Sequence, residues 1–413
     1  MRFFNRNSLN VLTKKKLMLL FLSALFILPL ASPSRFYMVL FSEVLIWALL
    51  ALSYDLALGY TGLVGFGHAA LFGVGAYAAA LLLRMDYSFF LAIPAAMLFG
   101  GLIGAVYGVF TRRVGGIYYA LVTLAFSEVI FLVFSKLVDL SGGETGISVP
   151  RPDFLRSDVI LYFAIAVSVF VVIVLLVTVV KDLRGGTGTR KARIVYLALA
   201  IAFLAVLFLM IPSKLSLITE GSMRDRATTI STMNIYYFLA LIPLFLCYLV
   251  ANRIVNSPLG HIFIAIRENE ERTKMLGYNV FNYKILSSTI SGIFAGLAGA
   301  LYAPFILSIN PSSVLGSTIT INVLLYSILG GLGTLIGPMI GAGIITILAD
   351  ELTGVPYIGQ YWMLVLGVFY LLVILFLPYG IVNTLRFKGT SFRQTLKKLA
   401  SSIRPSGNRK TDK

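Results

Sequence analysis

Three carboxylic acids, Glu43, Asp55 and Glu128, stand inside long apolar runs of this chain, and a histidine, His68, stands in another. Holding an ionisable group inside a bilayer costs about 2.5–3.5 kcal/mol on insertion scales, so each must face the protein interior, pair with a polar neighbour or serve transport. Glu128 fits pairing and transport equally, whereas Asp55, close to the end of its run, fits pairing better. Catalysis finds little support. One cysteine, Cys247, and two histidines, His68 and His261, exclude a disulfide framework and are too few for a protein-only zinc site. A phosphate-binding loop requires a Gly-Lys pair, which is absent; the nearest imitation, GGTGTRKA (185–192), lacks it. No catalytic residue, metal or cofactor is therefore expected, and any ATP hydrolysis must belong to separate subunits.

The elements that position these groups follow from composition. With 413 residues, 58% hydrophobic, 12% charged and a mean hydropathy of +0.91, the chain has too little polar surface for a soluble globule. Apolar runs of about 17–25 residues recur along it, the length that crosses a bilayer as helix. The fold class is all-α: a polytopic helical membrane bundle of about 11 spans, with no soluble domain. Spans are expected near 17–32, 36–58, 63–83, 89–110, 117–139, 158–180, 192–212, 235–255, 284–305, 318–332 and 335–350. The run Leu17–Ala31 after a basic start resembles a signal peptide, but an uncleaved first helix is the better reading, because no small-x-small cleavage site follows. The net charge of +17 lies in short connections and at the two ends, which argues for membrane lipid and the positive-inside rule and against nucleic acid.

Orientation follows from charge and parity. With the basic N-terminus cytoplasmic, the connections carrying Arg112, then Lys181 to Arg193, then Arg253 to Lys284, all fall inside, and the basic tail 386–413 should too. Parity then splits 318–350 into two spans joined at GGLGT (330–334). A second break stands at GYTG (59–62), opening GYTGLVGFGHAALFGVGAY (59–77). Broken helices free backbone groups that need water, ligand or protein, and such breaks commonly line a substrate path. The candidate path residues are Tyr60, Thr61, Gly62, Gly65, Gly67, His68 and Glu128, with Gly330, Gly331, Gly333 and Thr334 from the second break. Other glycines have a plainer reading: Gly100 with Gly104, Gly104 with Gly108, Gly292 with Gly296, and Gly337 with Gly341 are GxxxG pairs that let backbones approach.

The stretch NSPLGHIFIAIRENEERTKMLGYNVFNYK (256–284) is the longest charged segment inside the bundle. Ser257 and Pro258 predict a helix start, Leu259, Ile262, Phe263 and Ile266 share one face, and Gly277 supplies a stop. Its mixed charge favours docking onto another protein over attachment to anionic lipid. RENEERTKMLGYN resembles the ATPase-coupling loop of ABC-type importers, with Glu271, Arg272, Thr273 and Gly277 at the matching positions and the two alanines of that motif replaced. The longer strings AIRENE, LGYNVFNYK, AGLAGALYA (295–303) and LGGLGTLIGP (329–338), with SGGETGI (141–147), resemble the M-type permease of the branched-chain amino-acid uptake family; permeases for urea and short amides share much of the pattern.

The resemblance covers about 36–150 and 235–383 and leaves 155–230 as an inserted pair of spans within a permease domain of 1–385, with 256–283 as its cytoplasmic coupling loop. It implies a multi-pass protein of a prokaryotic cell membrane with both termini cytoplasmic. Its implied partners are an H-type second permease, two ATPase subunits docking at Arg267, Glu268, Asn269, Glu271 and Gly277, and an extracytoplasmic substrate-binding protein. The implied substrate is a branched-chain amino acid, whose carboxylate could meet amides at the start of the half-helix around Gly65 to His68. The alternatives are a urea or amide permease, or an ion-coupled secondary transporter using Glu43 or Glu128.

Overall fold

The computed structural model describes residues 35–152, 224–354, 361–376 and 380–386. The expected spans at 17–32, 158–180 and 192–212, and the tail from 387, lie outside the described residues. Seven helical stretches among the described residues are long and apolar enough to cross a membrane, and His68–Arg84 and Trp362–Val373 are shorter apolar ones.

Helix α1 (Arg35–Asp55) runs into a π-helical turn, Leu56–Tyr60, and the chain then stays irregular until α2 (His68–Arg84). The expected span 63–83 thus starts five residues late, because residues 61–67 are held by side chains rather than by a helix. Helices α3 (Phe89–Phe110) and α4 (Ile117–Lys136) follow, then a short α5 (Val138–Ser141) and strand β1 (Ile147–Ser148). The chain resumes with α6 (Arg224–Val255), α7 (Pro258–Glu268), α8 (Glu270–Met275) and α9 (Val280–Ile306). Strand β2 (Ser308–Ile309), a short α10 (Pro311–Val314), and the helices α11 (Ser317–Gly330), α12 (Ile336–Gly354), α13 (Trp362–Phe376) and α14 (Gly380–Arg386) complete it. Helix α13 is absent from the expected spans, yet two termini on one side require an even number of crossings, so the parity argument itself demands it.

The core is built on small residues. A Cβ placed on Gly100 would meet the carbonyl of Gly292, one on Gly104 the carbonyl of Ser288, and one on Gly296 the carbonyl of Ala96 and, at 3.2 Å, Gly100 Cα. Helices α3 and α9 therefore touch backbone to backbone, and α2 joins them where Gly75 faces Gly296. In a bilayer such dispersion contact replaces the hydrophobic effect as the force that holds helices together. Helices α11 and α12 form a hairpin of the same kind, Gly341 facing the Tyr326 carbonyl and Gly330 facing Gly337.

The two ends of α9 mark the two ends of the bundle. Near Val280 stand α7, α8 and the α3–α4 connection; beyond Ile306, β2 pairs antiparallel with β1, Ile147 opposite Ile309, which ties SGGETGI to the far end. That alternation agrees with the order of connections read from charge.

Candidate functional site

The two glycine breaks and helix α7 meet at one place. Asp55, the last residue of α1, is fully buried; its Oδ1 accepts from Gly333 N at 2.7 Å and its Oδ2 from Leu335 N at 2.9 Å. The turn it grips needs left-handed backbone, with φ of 111° at Gly331, 74° at Gly333 and 59° at Leu335. Thr334 closes it, donating to the Gly331 carbonyl at 2.8 Å and accepting from Gly337 N at 2.9 Å. Gly59 must be a glycine here: a Cβ would run into the Asp55 carboxyl and lie 2.6 Å from Gly333 N. Arg267, at the end of α7, donates through Nη1 to the Gly59 carbonyl. Charge alone predicts only that the breaks share a side; the structure puts them in contact and lays the end of α7 on both.

The irregular stretch 61–67 is tied to its neighbours mainly through side-chain hydroxyls and backbone carbonyls. Thr61 Oγ1 lies 2.6 Å from Ser287 Oγ, and the Gly65 and Gly67 carbonyls accept from Tyr54 and Tyr107, each at 3.1 Å. Phe66 N donates to Thr123 Oγ1 at 3.0 Å and Ala69 N to Thr320 Oγ1 at 2.9 Å. His68 is buried, its Nε2 2.9 Å from Ser291 Oγ, which in turn donates to the Ser53 carbonyl at 2.7 Å. The carbonyls freed by the break are thus taken up by protein, as irregular backbone at membrane depth requires, whereas of the four amides at 65–68 only Phe66 N has an acceptor among the described residues. Tyr60 is buried beside them. Glu43 accepts from Trp47 Nε1 at 3.0 Å, whereas Glu128, on α4, has no hydrogen-bond or ion-pair partner among the described residues.

The charged segment 256–284 begins as two helices rather than one. Pro258 opens α7, but Ser257 makes no cap; its Oγ donates to the Ile254 carbonyl at 2.6 Å instead. The apolar face is spent within the chain, with Phe263 and Ile266 buried. Asn269 breaks the helix in an extended conformation and restarts it as α8, its Oδ1 accepting from Arg272 N at 2.9 Å. What points outward is polar, Glu268 and Glu271, followed by Met275 at 84% exposure and Leu276 at 70%. Gly277 stops α8 with φ of 88°.

Sequence reading misses the anchor of α8. Lys284, buried on α9, meets Glu270 at 2.5 Å, and Lys274 meets the same carboxylate at 3.1 Å. Partial burial pushes the Glu270 carboxyl up, but the hydrogen bonds from Lys284 and Lys274 outweigh it and hold the group below its ordinary value of 4.5. A lowered value means stability present above that pH and lost as protons neutralise the group. Backbone amide exchange over 270–277 should therefore be pH-independent above about 5, after correction for intrinsic rates, and rise as the pH falls below about 4.5; in Lys284→Met that rise should shrink. Between α7, the break and the α3–α4 connection lies a cavity of about 250 Å³, lined among others by Thr61, Tyr119, Arg267 and Lys284.

Comparison with known proteins agrees with this geometry. The family described as "Branched-chain amino acid transport system / permease component" matches residues 37–375. The chain is 27% identical over 377 residues to the high-affinity branched-chain amino acid transport system permease protein LivM of Salmonella typhimurium, covering 89% of this chain and 75% of that protein. The Escherichia coli LivM is 28% identical over 372 residues with the same coverages. The Salmonella typhimurium LivH permease is 30% identical over 169 residues, 40% of this chain and 51% of that protein. No solved structure matches the chain. A match across most of the chain, coinciding with a helical bundle in which Arg267 of α7 rests on the glycine break at Gly59, places this protein in the branched-chain amino acid transport permease family.

Proposed function

We propose that this chain is one of two permease subunits of an ATP-driven importer, passing branched-chain amino acids from an extracytoplasmic binding protein into the cytoplasm. One of the two separate ATPase subunits docks on α7 and α8, and both termini of the chain lie on its side of the membrane. The observation that carries this reading is the seating of Arg267 on the Gly59 carbonyl beside Gly333. Closure of the ATPase subunits moves α7, and Arg267 hands that movement to the π-turn and to the α11–α12 turn together. Residues 60–68 and 330–334 then act as hinges beside the path. Contact between substrate and His68 requires the Ser291 bond to open first. Glu268, Asn269, Glu271 and Gly277 shape the docking surface, with Met275 and Leu276 as its apolar tip.

The test is reconstitution of the four-subunit complex with its binding protein in liposomes. Replacing Glu271 and Gly277 together by alanine should lower substrate-stimulated ATP hydrolysis by roughly tenfold, the scale of losing ~1.4 kcal/mol of docking free energy, while the two permeases stay assembled. Unchanged coupled hydrolysis in that double variant, or uptake by this chain alone down an ion gradient, would overturn the reading. Binding measurements on the external protein choose between leucine-like amino acids and urea or amides.

A further inference from the structure

Helix α4 has two faces of opposite character. Tyr119, Ala120, Thr123 and Ser127 are buried, and Thr123 holds the Phe66 amide of the break. On the other side Tyr118, Leu121, Val129 and Leu132 are all more than half exposed. Glu128 lies on that outward side, seven residues after Leu121 and four before Leu132, so the three share one helix face near the middle of the span. Other outward apolar faces are built differently: Leu98 and Leu102 on α3, and Leu364 and Leu371 on α13, have no ionisable residue among them, as lipid contact requires.

A half-buried carboxyl on an outward face in mid-span, without a partner among the described residues, calls for a polar group brought by something else. Lipid tails bring none. The chain's own apolar runs at 17–32, 158–180 and 192–212 bring little, since their middle stretches hold only two polar side chains, Ser23 and Ser168, and no basic one. A second copy of this chain on a two-fold axis would set Glu128 against Glu128, a repulsive pairing. A different, related helical protein satisfies every condition.

We propose that the face of α4 centred on Glu128 is the surface on which the second permease subunit packs, and that this subunit supplies a basic or hydroxyl donor at that depth. The inference rests on the importer reading above. It places the partner one helix away from residues 61–68, since the opposite face of α4 already grips them.

The test uses the complex of both permeases purified together, with a photoreactive benzophenone residue at Leu121 or Leu132, and at Leu98 or Leu371 as controls. Illumination should link this chain to the second permease from positions 121 and 132 and not from 98 or 371. Links from 121 and 132 to residues 1–34 or 153–223 of the same chain or to lipid only would overturn the proposal. Glu128→Leu should reduce recovery of the pair several-fold, with Glu128→Gln near the parent, while each variant chain alone elutes as the parent does. Equal recovery of the pair with Glu128→Leu would also count against it. Should the two permeases fail to co-purify at all, it is the importer reading that fails; co-purification with links only from α3 or α13 fails the interface alone.

Discussion

Exchange of Asp55 for alanine should uncouple the transporter and cost a large share of its stability. Two amides, Gly333 N and Leu335 N, lose their acceptor; Leu335 is buried, whereas Gly333 is half-buried. An unpaired buried group costs about 1–3 kcal/mol, so Leu335 N alone costs that much and Gly333 N adds a smaller part, against a net stability of about 5–15 kcal/mol. The turn 330–335 depends on left-handed backbone at three positions, so it is the segment expected to loosen first. Substrate-stimulated ATP hydrolysis should then fall at least tenfold, with basal hydrolysis kept, because Arg267 still reaches Gly59 but no longer moves the α11–α12 turn. Asn at this position should be milder, since its oxygen keeps one amide while its NH₂ opposes the other. Glu should be worse than Asn, because an extra methylene must enter a space in which a Cβ on Gly59 does not fit. Thermal unfolding in detergent and the ratio of stimulated to basal hydrolysis measure the two effects. An Asp55→Ala complex that melts and couples like the parent would remove the clamp from the mechanism.

The second large effect is expected at Gly296, where three helices touch. Gly75 of α2 faces its backbone, and its own Cβ would meet Ala96 and Gly100 of α3. Alanine there forces a backbone shift worth about 1–3 kcal/mol, visible as a loss of several degrees in Tm. Leucine requires α3 and α9 to part along the whole crossing, and no folded protein should be recovered. Gly367 on α13 is the control: it has nothing within 4 Å of a Cβ, so Gly367→Ala should leave Tm unchanged or raise it slightly. If Gly296→Leu folded with a parent-like Tm, the backbone contact would not be what holds these helices.

What was legible in the chain depended on range. The GxxxG pairs read correctly because spacing within one helix sets which residues share a face, and opposing glycines have few alternatives to packing. The two breaks were placed on one side by charge and parity, which need no knowledge of contacts. Their meeting through Asp55 was not legible, since a carboxyl near the end of an apolar run carries no mark of which amides, far along the chain, it will accept from. The Lys284–Glu270 pair left only the faint signal of opposite charges at the two ends of one connection. Helix α7 read correctly at Pro258 and on its apolar face, but Asn269 was not seen as the cap that divides the segment in two. At 65–68, hydroxyls of Tyr54, Tyr107 and Thr123, from three other helices, hold two carbonyls and the Phe66 amide, a tertiary event beyond local pattern.

The ribbon β1–β2 sits at the opposite end of α9 from the Lys284 ion pair. Helix α9 has 27 residues, about 40 Å of rise, and its backbone contact with α3 runs from Ile285, beside Lys284, to Gly296. Contact over that length leaves no single pivot, so α3 and α9 should move as one body, and a push on the Lys284 end should travel along both helices toward the ribbon.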